Sequence, residues 1–356
     1  MHPPDKPRKG RGATLNPPNR YAAQVHEAVD DGWWDAEEGA SLTPTRLAVD
    51  TSRSVISYNQ SPDVPFDRSI NPYRGCEHGC VYCFARPTHA YLGLSPGLDF
   101  ETQILYKPDA ATQLRRELAA RGYRCAPVAV GINTDAYQPA ERRLGITRAL
   151  LHVLVEAQHP FTVVTKSSLI ERDIDLISAA AQARRAAVAV SLTTLDRELA
   201  RRLEPRAAAP QRRLEVIRRL AAAAIPVTVL VAPVIPALTD HEMETLLAAA
   251  RAAGAIDAGY VLLRLPQEVN GLFADWLAVH EPAKATRVMN RIRDMRGGRE
   301  YDARFGSRMR GSGAFADLLA QRFELARKRL QFASSPPLDC SAFVAPAGAG
   351  AQMSLF

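Results

Sequence analysis

Three cysteines fall within eight residues in the segment NPYRGCEHGCVYCFARPTH, residues 71–89, where Cys76, Cys80 and Cys83 keep the spacing C-x3-C-x2-C. Thiolates this close on one loop can hold three irons of a 4Fe-4S cluster, and Gly75 and Gly79 let the backbone wrap closely round the sulfides. The fourth iron is then left without a protein ligand and is free to chelate a substrate. The other chemistry open to these side chains is a structural zinc site completed by His78 or His89, in a non-catalytic nucleic-acid-binding protein. Zinc sites normally pair two close ligands with two distant ones, and this triplet does not follow that pattern. Five cysteines in all, an odd number with three crowded together, speak against a disulfide framework. Cys125 and Cys340 have no partner at useful spacing, so Cys125 reads as a small buried apolar residue and Cys340 as a tail thiol.

Such a loop needs a scaffold, and the chain supplies a repeating one. Short β-branched runs alternate with Ala/Leu/Arg-rich segments of helical period, the signature of β-α units and a parallel sheet. Six strands are expected, at Ser69–Tyr73, Val128–Asn133, Phe161–Thr165, Ala187–Leu192, Val227–Ala232 and Tyr260–Leu265. Between them, Ala140–Ala157 and Gln211–Ala223 are amphipathic helices. The expected fold class is α/β, a partial (β/α)6 TIM-type barrel that gathers its functional groups at the C-terminal ends of the strands. Those ends are polar: Asn133-Thr134-Asp135, Thr165-Lys166-Ser167, and Ser191 followed by Thr193 and Thr194. The cysteine triplet follows the first strand.

The triplet, with aromatic Tyr82 just before its last cysteine, resembles the signature of the radical S-adenosylmethionine (SAM) superfamily. The segments VGINTDAYQPAE, VVTKS, AVSLTT and RLEP resemble the spore photoproduct lyase-like branch, and the likeness runs from Asn71 through Leu265. It implies a 4Fe-4S cluster on Cys76, Cys80 and Cys83 that reductively cleaves SAM to a 5′-deoxyadenosyl radical, which then abstracts hydrogen from substrate. It also implies an external electron donor, and cofactor contacts from Tyr82, Thr134, Asp135, Lys166 and Ser191. Charge complementarity would place the SAM ammonium at Asp135 and Thr134, its carboxylate at Lys166, and its carboxylate or ribose at Ser191. Glu204 and Arg264 lie in matching segments without an assigned role. One departure matters. Spore photoproduct lyases carry a cysteine before their Thr-Ser-Asp segment that returns a hydrogen atom to the product radical, and Asn133 stands there in this chain. An amide cannot donate that hydrogen, so the resemblance is closer to a bacterial subfamily with the NPYRGCEHGC and SPGLDFET segments than to a thymine-dimer repair enzyme.

The flanks differ from the core. Residues 1–45 are rich in Pro, Gly and charge and read as a mobile arm; 46–295 form the α/β unit, 296–332 a basic helical extension, and 333–356 a flexible tail. The chain carries a formal charge of +7 and a pI near 9.3. Residues 281–330 alone hold a positive excess of the same size, including Arg322, Arg327, Lys328 and Arg329. The last five residues, Gln352-Met353-Ser354-Leu355-Phe356, resemble the peptide with which bacterial DNA repair and replication proteins engage the sliding clamp, which favours DNA or a damaged base as substrate. No export signal opens the chain, and Pro226, Pro233 and Pro236 interrupt its most apolar run, Ala221–Leu238, so a cytoplasmic location without membrane insertion is expected.

Overall fold

The computed structural model describes residues 8–21 and 44–347. Ten strands occur among them: β1 (Arg46–Val49), β2 (Ile56–Tyr58), β3 (Arg68–Ile70), β4 (Tyr73–Arg74), β5 (Gln103–Tyr106), β6 (Val128–Val130), β7 (Phe161–Thr165), β8 (Ala186–Ser191), β9 (Val227–Val234) and β10 (Asp257–Leu262). The main sheet runs β10-β9-β8-β7-β6-β3-β2. The six strands from β3 to β10 are mutually parallel in sequence order, and β2 adds an antiparallel edge. Register follows from branched side chains at one level: Ile70, Val130, Val163, Val188 and Val227 are successive partners across five strands, all at or below 1% exposure. The alternation of buried and half-buried positions along β7, β8 and β9 is the period-two pattern that fixes such a register. Helices such as Ile146–Glu156, Ile174–Gln182, Pro210–Ala222 and Met243–Ala252 pack their apolar faces on the sheet.

The fold class is α/β with a mostly parallel sheet, as anticipated, but several boundaries move. The first expected strand is divided: β3 stops at Ile70, and Tyr73 pairs instead in a separate sheet of order β1-β5-β4. The last begins at Asp257, three residues before the expected start, and Leu263–Leu265 continue as a buried loop. The helix expected over 140–157 breaks at Gly145 (φ +65), because the buried Glu141 carboxylate turns back to accept the Thr147 N–H at 3.0 Å and so caps a new helix.

Both flanks are corrected where they can be described. Residues 8–21 are a packed strap instead of a free arm: Ala13 and Thr14 are buried, and the N–H groups of Gly12 and Ala13 donate to the Glu101 carboxylate at 3.0 and 2.8 Å. A Cβ on Gly12 would lie 1.8 Å from the Gly79 carbonyl oxygen, so only glycine permits the approach. Residues 333–347 likewise run across the N-terminal ends of the strands. Ala333 N bonds Ile256 O ahead of β10, Ser335 meets Thr228 of β9, Asp339 N bonds Arg184 O ahead of β8, and Val344 N bonds Ala157 O ahead of β7. Their Ser/Pro/Ala composition suggested a loose tail, yet the backbone bonds and the Phe343 anchor hold it in place. Gln352–Phe356 lie outside the described residues. No described helix is long and apolar enough to cross a membrane.

Candidate active site

The cysteine loop leaves β4 through Gly75 (φ +80) and turns again at Gly79 (φ +67), conformations that L side chains rarely adopt. Cys76 N donates to Phe100 O at 2.9 Å and Cys83 N to Cys80 O at 3.1 Å. Beneath the loop lies Arg86, fully buried, whose guanidinium donates to Cys80 O (2.9 Å), Gly79 O (3.3 Å), Pro96 O (3.2 Å) and Gly97 O (2.8 Å). Its remaining valence is met by Glu101 at 2.5 Å, the carboxylate that also holds the strap. The loop is therefore clamped from below by a buried ion pair and from above by Gly12–Ala13.

Cys76 and Cys80 are buried and Cys83 half-buried. Burial pushes all three thiols up; at Cys76 the neighbouring Asp135, Cys80 and Cys83 add to it. The three sulfurs thus sit within electrostatic reach of one another in a dry site, where each thiolate needs a positive partner to form. Among the described residues no set of three His, Cys, Asp or Glu side chains closes on a single metal ion. Buried clustered thiols on a loop with positive-φ glycines fit a polynuclear iron–sulfur group that spreads its ligands apart.

The polar strand ends face this loop in two groups. After β6, Thr134 donates to Tyr73 O at 2.7 Å, while Asp135 accepts from Thr165 Oγ1 (2.8 and 3.0 Å), Lys166 N (2.7 Å) and Tyr137 N (2.8 Å). His78, from within the cysteine loop, completes the set with Nδ1 at 3.3 Å. Burial alone would raise the Asp135 carboxyl, but His78 and the two N–H donors outweigh it and hold the acid below its ordinary range.

The second group centres on Glu204, almost fully buried, which accepts from Tyr82 Oη, from Thr193 Oγ1 at 2.8 Å and from Arg213. Lys166 Nζ stands 3.6 Å from the same carboxylate, 3.4 Å from Ala232 O and 5.9 Å from the Tyr82 ring centroid. Burial lowers the Lys166 ammonium, and Arg213 lowers it further. Arg213 also donates to the carbonyl of buried Ser191 at 3.1 Å.

The structure thus brings all eight sequence-selected residues to the C-terminal edge of the sheet, in two groups sharing Lys166. Sequence reasoning left Glu204 without a role, named Thr193 only as a polar strand end and His78 only as a zinc ligand, and missed Arg213. The signal for the first was present, since an acid in RLEP before an Arg-rich helix has few other buried uses. Arg264, also unassigned, lies over the Phe84 ring at 4.8 Å with Nη1 3.4 Å from Met309 Sδ, and its Nε is buried without a hydrogen-bond partner among the described residues. Asn133 offers its backbone N–H to Asn71 Oδ1 at 2.9 Å.

Comparison with known proteins agrees with this arrangement. The sequence profile of the radical SAM superfamily matches residues 70–250. An uncharacterized protein of Mycobacterium tuberculosis is 42% identical over 226 residues, 63% of this chain and 66% of the relative, so just under two thirds of that relative's length is spanned. Another, from Methanocaldococcus jannaschii, is 24% identical over 173 residues, covering 49% of this chain and 62% of the relative. Two variants of spore photoproduct lyase superpose with TM-scores of 0.54 and 0.52 at 16% identity, over 80% of this chain and 78% of theirs, a likeness of fold. With the cysteine triplet at the C-terminal edge of a parallel sheet, these matches establish that the chain belongs to the radical SAM superfamily and shares the fold of spore photoproduct lyase.

Proposed function

We propose that this radical SAM enzyme carries its cluster on Cys76, Cys80 and Cys83, binds SAM at the adjacent strand ends within a partial barrel, and acts on DNA or a damaged base. The observation that carries the reading is the pairing of three clustered thiols, two buried and one half-buried, with two networks of buried charge at the ends of β6, β7 and β8. When bound, the cluster supplies the electron that breaks SAM into methionine and a 5′-deoxyadenosyl radical, drawn from an external donor. The protein's own residues bind, orient and exclude water. Lys166, desolvated beside Tyr82 and Glu204, is placed to take the SAM carboxylate, and Ser191 lies next to it. Asp135 already accepts three protein donors besides its contact partner His78, so the SAM ammonium takes the place of His78, whose 3.3 Å contact is the longest of the set. Thr134 stays tied to Tyr73 O and fixes the turn that presents Asp135.

Support for a DNA substrate comes from the clamp-like peptide Gln352–Phe356 and the basic C-terminal region. With Asn133 in place of a hydrogen-returning cysteine, the outcome differs from direct dimer repair. Anaerobic reconstitution followed by dithionite and SAM should yield 5′-deoxyadenosine, and Cys80→Ala should abolish both that product and the brown iron–sulfur absorbance. Stoichiometric zinc, or a fully loaded cluster that makes no 5′-deoxyadenosine, overturns the reading. Truncation after Gly350 should remove capture by a bacterial sliding clamp; unchanged capture rejects that partner.

A further inference from the structure

Tyr21 and Tyr91 are 58% and 70% exposed, unusual for large rings held by a fixed framework. Their centroids lie 5.6 Å apart with the planes tilted by 31°, and the Arg20 guanidinium sits 4.9 Å from one centroid and 5.5 Å from the other. The assembly is rigidly mounted. Arg20 donates twice to Glu268, at 2.6 and 2.8 Å, and to Pro87 O at 3.3 Å. Asn19 donates to Ala90 O and accepts from Tyr21 N, both at 2.8 Å. An open cleft of about 490 Å³ is lined by both rings together with Asn19, Ala90 and Gly93. Tyr91 lies in the last turn of the 3-10 helix Arg86–Leu92 that begins three residues after Cys83, and Glu268 opens the helix that follows β10, so the cleft flanks the C-terminal edge where the cysteine loop sits. The same pairing of ring and guanidinium recurs between cleft and loop, where Arg264 covers the 38%-exposed Phe84.

Exposed rings fixed in advance and backed by a guanidinium present a surface on which unpaired bases stack. We propose that Tyr21 and Tyr91 form a stacking platform for unpaired bases of a DNA strand, guiding it toward the cysteine loop; this rests on the DNA reading above. Because Glu268 neutralises Arg20, the platform contributes mainly through stacking, and its loss should leave the salt dependence of binding almost unaltered.

The test is fluorescence anisotropy of the full chain with a fluorescein-labelled 12-nucleotide oligothymidylate, its duplex form and a proline-rich peptide. Tyr91→Ala and Tyr21→Ala should each weaken single-strand binding about tenfold. Tyr91→Phe should bind as the parent does, Tyr91→Leu should not, and duplex should bind more weakly than the single strand. Circular dichroism checks that each variant is folded. Parent-level binding by a folded Tyr21→Ala/Tyr91→Ala double variant, preference for the peptide, or no oligonucleotide binding by the parent overturns the platform. Formation of 5′-deoxyadenosine, measured on the same preparations, reports separately on the radical chemistry, so the platform can fail while that chemistry stands, and the reverse.

Discussion

The two edges of the parallel sheet are built from the same strands and closed by opposite means. At the C-terminal edge Asp135, Glu204 and Arg213 are buried around the half-buried Lys166, with the Arg86–Glu101 pair beneath the cysteine loop. At the N-terminal edge residues 333–347 seal the strands with backbone bonds and a ring cluster of Tyr123, His159 and Phe343; the buried His159 is kept neutral, and the Asp67–Arg68 and Asp257–Arg327 ion pairs each keep at least one partner in contact with solvent. Buried charge is a poor way to gain stability, because desolvation offsets most of the attraction. Its concentration at one edge marks where the chain holds polar groups ready for a ligand, while the other edge needs only to stay shut.

The largest effect should follow from breaking the charged side. Glu101→Ala strands Arg86 in a site without water and frees the strap N–H groups of Gly12 and Ala13, at a cost of about 3–5 kcal/mol. The urea midpoint should fall accordingly, and residues 8–21 should become open to protease. A loss below about 1 kcal/mol would mean that the pair is not dry, and the contrast between the edges would weaken.

The sealed side should answer to pH instead. The neutral His159 donates from Nδ1 to Pro160 O at 2.9 Å and accepts at Nε2 from Tyr123 Oη at 2.7 Å. Burial, with Arg68 nearby, pushes its pKa down to about 4, while the unfolded ring titrates near 6.5. As pH falls the unfolded chain takes up its proton first. The stability this histidine confers is therefore whole above about pH 6.5 and is lost on descent toward pH 4, by about 2–3 kcal/mol. Urea unfolding of the parent and of His159→Gln between pH 7 and pH 4.5 checks this; equal slopes in the two would remove the histidine from the account.

Legibility in the sequence follows the same division. The β7 strand, Phe161–Thr165, was readable to the residue because β-branched alternation dictates it, and the cysteine triplet, Asp135 and Lys166 stood out by spacing and by polarity where apolar strands stop, positions the structure gathers at one edge of the sheet. The Glu204 network escaped assignment because Tyr82 and Lys166 are distant from Glu204 in the chain, and its nearer members Thr193 and Arg213 carry no spacing signal and meet it only when β8 and the following helices pack. The strap and the tail were misread for a different reason. Composition reports how little apolar surface a segment owns, whereas Gly12 against Gly79 and the Val344–Ala157 bond are fixed by backbone groups that composition does not register.

Cys125 and Cys340 give the finest probe of the seal. Their sequence positions offered no partner, yet the tail brings the two thiols within electrostatic reach of each other near Tyr123 and Phe343. Burial, with Cys340 next to it, pushes the Cys125 thiol up, so at neutral pH it holds almost no thiolate. Removing its sulfur should hardly matter to stability: Cys125→Ser is expected to change it by less than about 1 kcal/mol, since both residues are half-buried. Reactivity is the sensitive readout. At pH 7.5 iodoacetamide should label Cys125 at least tenfold more slowly than a fully exposed cysteine, and Phe343→Ala, which withdraws the ring that pins the tail, should bring the rate up toward the exposed value. Fast labelling of Cys125 in the parent chain would show that the tail leaves the strand ends open, and the N-terminal edge could no longer be set against its counterpart as the closed one.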